Sequence, residues 1–270
     1  MPWEVLAHGY GLAEAPTVDL DSRLLFSDVL GGGVYRCDAT GNVTTVVPKR
    51  RGVGGIAVHA DGGFICSGRD LLHVREGDEA RTVLHVDGVA GWNDLCTDAD
   101  GNVYAGALRF AVFDPAAEVV PGELWRVGAA GDAAPFVTDI VHPNGVAWTP
   151  DGATLYVSDT RQQRLIVFEP ATGSRRDVDV SALGHPDGMA VDEHGAVWLA
   201  LVRGGIARLT PDGDVDQLLE PPSSFTTSCC FDGRDLVVTT GNHTEQAELG
   251  GCVLRTTLAV GGAPVAAARV

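Results

Sequence analysis

The chain lacks any uninterrupted apolar run near the ~18 residues that a membrane-spanning helix requires, and its opening residues hold no basic stretch leading into an apolar one. No membrane partner is therefore expected, and the cytoplasm is the expected location. Positive charge is scarce: 19 Lys and Arg stand against 36 Asp and Glu, a formal net charge of −17. The longest basic cluster is Lys49-Arg50-Arg51, which reads as a solvated turn after Pro48. A polyphosphate must be neutralised by cations, so nucleic acid is excluded as a partner. Cysteine is sparse too, and the six form no C-x-x-C pair; they sit mostly in apolar, strand-like runs and are expected to be free thiols. Helical periodicity is nearly absent. There is no G-x-S-x-G, no H-E-x-x-H and no P-loop, which argues against a serine-elbow esterase, a zincin and a nucleotide-phosphate cradle. Gly52-Val-Gly-Gly enters a strand rather than a helix.

What is present is glycine. Thirty-five glycines recur beside Asp and Asn, each followed by a short apolar or alternating run, as in Asp61-Gly-Gly-Phe-Ile-Cys, Asp100-Gly-Asn-Val-Tyr-Ala and Asp151-Gly-Ala-Thr-Leu-Tyr-Val. Each reads as a hairpin turn entering a strand. The segments just before these turns align with one another, starting at Glu14, Gly54, Asn93, Asn144, Asp187 and Thr227. The intervals between these starts are 40, 39, 51, 43 and 40 residues. A period near 40 with several strands per repeat is the signature of propeller blades. The expectation is all-β: one domain over residues 1–270, a six-bladed β-propeller with an axial metal site. Pro2 to Ala7 and Cys252 to Val260 should close the ring by pairing in one blade, and Gly261 to Val270 reads as a small-residue tail.

In a propeller the inner strands line a central channel, so equivalent positions in successive blades converge. Here they are Glu14, Gly54, Asn93, Asn144, Asp187 and Thr227, four of which are strong oxygen donors and two of which carry negative charge. Gathering carboxylates and amides at one channel mouth is costly unless a cation neutralises them. An all-oxygen set without Cys or His suits a hard ion, and its irregular mixture favours Ca2+ over Mg2+. The competing reading is that Asn and Asp only cap the turn before each strand.

Taken in order, Glu14-Ala-Pro, Gly31-Gly-Gly-Val-Tyr-Arg, Asn93-Asp, Gly122-Glu-Leu-Trp-Arg, Pro143-Asn-Gly-Val-Ala, Leu155-Tyr-Val-Ser-Asp, Pro186-Asp-Gly-Met-Ala-Val-Asp and Val197-Trp-Leu-Ala carry a likeness. The chain resembles the gluconolactonase, senescence-marker-protein and luciferin-regenerating-enzyme family of six-bladed propellers from about residue 10 to residue 260. The resemblance implies a divalent metal, usually calcium, on Glu14, Asn144 and Asp187, with Zn2+, Mn2+ and Mg2+ as alternatives for the same site. It places Asn93, with Asp94 beside it, near both metal and substrate. It implies lactone hydrolysis of a small-molecule substrate, with the metal as Lewis acid and Asp187 orienting or deprotonating water.

The chain departs from the family where sugar lactonases resemble R-x-N-D, reading Gly91-Trp92-Asn93-Asp94 instead. The longest interval carries its surplus in residues 108–121, an apolar loop that with Trp92 suggests a pocket for a ring-containing substrate, Arg109 being its one cation. The alternative is a packing insertion with Phe110 and Phe113 in the core. His142 and His185 precede ring residues and are candidate contacts at the mouth. Two other functions fit the scaffold: a different reaction on a specialised metabolite, such as hydration, ring opening or C–C cleavage, and a non-enzymatic binding platform.

Overall fold

Short turns join the strands of each repeat, many of them Asp-Gly, as at Asp61, Asp100, Asp151, Asp212 and Asp232, so the chain folds as successive antiparallel meanders. The computed structural model describes residues 2–38, 40–242 and 250–270. Among these residues the strands form six four-stranded sheets, and no α-helix occurs. The inner strands of blades 1 to 6 are Ala13–Val18, Ile56–Val58, Gly91–Thr97, Pro143–Trp148, His185–Val191 and Thr226–Asp232. Each packs on the inner strand of the next, and blade 6 returns to blade 1, so the ring is closed. Closure comes from the first strand, Glu4–Tyr10, which pairs antiparallel with Gly251–Thr257 as the outermost strand of blade 6. The expected union of both ends in one blade is what the sheet shows.

The core lies between blades rather than in one centre. Tyr104, Leu124 and Ile140 of blade 3 pack on Val146, Leu155 and Ile166 of blade 4, and the same layering recurs between blades 4 and 5. Full burial of each such side chain is worth about 1.5–3 kcal/mol. Hydroxyls stitch neighbouring inner strands at the channel. Ser27 Oγ donates to the Val53 carbonyl at 2.5 Å, Ser158 Oγ to the Asp187 carbonyl at 2.7 Å and Thr227 Oγ1 to the Ala13 carbonyl at 2.6 Å.

Five inner strands break register at the same place: between Glu14 and Thr17, Trp92 and Leu95, Pro143 and Val146, Pro186 and Met189, and Thr226 and Ser228. A bulge leaves a residue unpaired and re-aims its side chain. These bulges fall on the blade-equivalent positions. The close approach that results requires glycine at 145, where a Cβ would lie 2.4 Å from the Asp187 carbonyl oxygen.

The C-terminal segment is more than a tail. Gly262 and Ala263 bond to Gly233 of blade 6 and Val191 of blade 5, while Ala268 and Arg269 bond to Val58 of blade 2 and Gly101 of blade 3. It thus crosses the end of the channel opposite the ring, and its run of Gly and Ala lets the backbone lie that close.

Candidate metal centre and active site

The inner strands begin at one mouth of the channel, and there the bulges gather Glu14, Asn144 and Asp187, all buried, with Asn93 and Asp94 half-buried beside them. Asn144 Nδ2 donates to Asp187 Oδ1 and, at 3.1 Å, to Thr160 Oγ1. Asn93 Nδ2 donates to the Pro143 carbonyl at 3.1 Å. Both amides therefore spend their N–H groups on the protein and keep a carbonyl oxygen for a ligand.

The carboxyls repel one another. Burial first, then the charges of Asp187 and Asp94, hold Glu14 well above the usual carboxylate range against one N–H from Ala15. Asp187 is raised likewise by burial and then by Asp94, with Asn144 opposing. Burial pushes Asp94 up to about 7 although Leu95 N–H donates to its Oδ1 at 2.8 Å. Among the described residues no basic side chain opposes these shifts. Such a donor set fits a hard cation, which would supply the missing positive charge. Among the described residues, no three Cys, His, Asp or Glu side chains form a metal cluster by themselves, so the amides are needed to complete the set.

Two ring positions contribute no oxygen. Gly54 has no side chain, and a Cβ there would lie 2.3 Å from Asn93 Oδ1. The Thr227 hydroxyl is committed to the Ala13 carbonyl and to Thr239 Oγ1 at 2.9 Å.

Other expected contacts move. Trp92 is 1% exposed and packs between blades 2 and 3, edge-on to Trp125. It sits just before the bulge, so its side chain turns to the blade interface while Asn93 and Asp94 turn inward. Arg109 is not a free cation either. It makes a two-pronged ion pair with Glu123, which also accepts from Trp125 Nε1. The 108–121 segment divides: Phe110 is buried and Phe113 is 67% exposed. His142 lies beside the ring with its side chain against Phe110, and burial lowers its pKa to about 4, which keeps the ring neutral. His185 is exposed at the start of the blade 5 inner strand.

Sequence reasoning missed Thr160, which accepts from Asn144, and Ser158, which fixes the Asp187 backbone. The signal for Ser158 was a serine recurring at the end of the second strand, as Ser27, Ser67 and Ser158, all fully buried. Asp159 was missed as well; it accepts from the backbone N–H groups of Val141 and His142 at 3.0 Å and so sets the approach to Asn144. A cleft of about 610 Å³ lined by Asp151, Tyr156, Arg176 and His194 opens at the far face between blades 4 and 5. It holds no converging donor ring, and the channel mouth is the better site.

Fold and site define a six-bladed β-propeller with oxygen donors gathered at one channel mouth. Residues 12–242 match the SMP-30/Gluconolactonase/LRE-like region, and the chain belongs to that family. A 6-deoxy-6-sulfogluconolactonase of Pseudomonas putida is 30% identical, covering 93% of this chain and 92% of its own. A pentonolactonase of Haloferax volcanii is 27% identical over 83% of this chain and 79% of its own. Among solved structures, a luciferin-regenerating enzyme superposes with a TM-score of 0.86 at 21% identity, covering 100% of this chain and 99% of its own. A gluconolactonase of Xanthomonas campestris gives 0.82 at 23% identity, with 95% and 89% covered.

Proposed function

We propose that the chain is a divalent-metal-dependent hydrolase that opens a lactone or related ester. Membership in a family with lactonase relatives makes hydrolase the enzyme class. The observation that carries the metal is the set of inward-facing carboxyls on Glu14, Asp94 and Asp187, all shifted upward with no basic side chain among the described residues opposing. Glu14, Asn144 and Asp187 would hold the ion, with Asn93 beside it, and oxygen-only ligands suit Ca2+. When bound, the ion supplies Lewis-acid polarisation of the ester carbonyl.

The residues do the rest. Asp187 Oδ1 is fixed by Asn144, which leaves Oδ2 to orient a water and take its proton as the oxygen adds to the carbonyl carbon. The C–O bond of the ring then breaks, and the departing oxygen takes up the proton held by Asp187 to give the hydroxy acid and restore the carboxylate. Asn93 and Asp94 stand at the mouth, where substrate hydroxyls arrive. The free thiols suit the reducing cytoplasm.

The test is proton release from a panel of sugar and apolar lactones, with and without chelator, alongside Asp187→Asn. Chelator-sensitive turnover that the variant loses supports the reading. Metal binding without hydrolysis of any lactone overturns it.

A further inference from the structure

The cations at the channel mouth are unevenly committed. Arg109 is held by Glu123, Arg50 by the carbonyls of Ser67 and Asp70, and Arg164 by Asp159 and Asp177. Arg161 differs. Its guanidinium lies over the Phe110 ring, 5.7 Å from the centroid, and among the described residues it has no carboxylate partner. Stacking on a ring orients a guanidinium without using its N–H groups, so its planar fork stays available to an oxyanion.

Its place is specific. Arg161 follows Thr160, whose hydroxyl accepts from Asn144 at 3.1 Å and whose N–H bonds to the His142 carbonyl at 3.1 Å. Phe110, beneath Arg161, touches His142 edge-on, with the centroids 6.3 Å apart. One layer of side chains thus separates an exposed guanidinium from the oxygen ring.

The net charge of −17 does not oppose an anion here. Asp19, Asp21, Asp98, Asp100, Asp151 and Asp212 lie in loops at the opposite end of the blades. Among the described residues the mouth loops mix signs, with Asp70, Asp87, Asp114, Glu118 and Glu220 beside Lys49, Arg50, Arg51, Arg69, Arg109, Arg161 and Arg203. Charges beyond about 8–10 Å are largely screened at physiological salt, so the acidic far face contributes little at the mouth.

We propose that Arg161 is a specificity-determining residue that binds an oxyanionic substituent, carboxylate or sulfonate, on the substrate, so that the preferred substrate is an acidic lactone. The inference rests on the lactone-hydrolase reading for the word lactone and on the Arg161–Phe110–His142 layer for the anion.

The experiment compares three aldonolactones that differ in one terminal group, hydroxymethyl, carboxylate or sulfonate. It uses the wild-type chain, Arg161→Gln, Arg161→Lys and Arg69→Gln. Arg161 is exposed and should fold normally when replaced, which the melting curve checks. Arg161→Gln should raise KM for an oxyanionic lactone about tenfold or more relative to the neutral one, the loss of one charge-assisted hydrogen-bonded pair. Lysine should recover only part, because an ammonium lacks the planar fork. Arg69→Gln removes the same charge elsewhere at the mouth and should change the ratio far less.

Equal effects on charged and neutral lactones, or an equal shift from Arg69→Gln, overturn the proposal. Calorimetry with the matched unreactive lactams separates the two claims. If no lactone turns over but the acidic lactam binds more tightly and loses that margin in Arg161→Gln, Arg161 stands and the hydrolase reading falls. If acidic and neutral lactams bind alike, the assignment of Arg161 falls whatever the turnover.

Discussion

Removing the Asp94 charge should stabilise the metal-free protein. Asp94 sits at about 7 in the fold because burial penalises its ionised form, whereas its ordinary value is 3.8. Between those values the folded chain keeps a proton that the unfolded chain has released. Stability must then fall as pH rises through that window, with the full loss reached above about pH 7. The ceiling on this loss is about 4 kcal/mol, and partial solvent access trims it to about 2–4 kcal/mol. In a chain of this size that is about 5–15 °C in Tm. Asp94→Asn keeps an acceptor for the Leu95 N–H, which lies 2.8 Å from Oδ1, so the backbone contact survives while the charge goes. The assay is urea and thermal unfolding of chelator-treated wild type and variant from pH 4 to 8, repeated with Ca2+. In chelator, the variant should be more stable at pH 7.5 and show a shallower slope. Some slope should remain from Glu14 and Asp187, which are raised in the same direction. With Ca2+, wild type should recover more than the variant, having one more negative charge for the ion to offset. A variant less stable than wild type in chelator, or an unchanged slope, would refute a cost for burying the Asp94 charge.

Three further outcomes follow from the geometry. Gly145→Ala should cost about 1–3 kcal/mol by denaturant melting and lower Ca2+ affinity with it, because the added Cβ meets the Asp187 carbonyl oxygen at 2.4 Å. Arg109→Gln should cost about 1 kcal/mol through the lost Glu123 pair and move kcat/KM by less than about twofold; a large rise in KM would return Arg109 to the substrate. The pH–rate profile should carry no inflection near 6.5 from His142, whose ring stays neutral down to about pH 4; an inflection lost in His142→Gln would contradict that burial.

The blade period was legible because the blades repeat short hairpin turns that favour a residue able to take positive φ, which here is most often glycine after Asp. The ring was legible for a related reason: Glu14, Asn93, Asn144 and Asp187 share a register, and the register breaks recur where they lie. What the pattern hides is which way a side chain turns at a bulge. Trp92 precedes its bulge and goes to the blade interface, and Thr227 lies at its own and bonds to the next blade. Distant pairing is equally hidden. Nothing near Arg109 in the chain marks Glu123 as its partner, and the short turn holding Thr160 and Arg161 carries no apolar signature to draw attention to it.

The oxygen count bears on whether the centre is structural or catalytic. Each carboxyl in the ring has one oxygen already accepting an N–H: Glu14 Oε2 from Ala15, Asp94 Oδ1 from Leu95 and Asp187 Oδ1 from Asn144. With the carbonyl oxygens of Asn93 and Asn144, these five side chains present five oxygens that accept no hydrogen bond among the described residues. Calcium takes about six to eight. Gly54 and Thr227, at the other two blade-equivalent positions, add none, so on the proposed reading these side chains alone would leave positions on a calcium ion open. A site built only to brace the ring would gain from filling those positions. One left short of ligands at a solvent-facing mouth reserves them for water and for the oxygen of a substrate, as a hydrolytic centre requires.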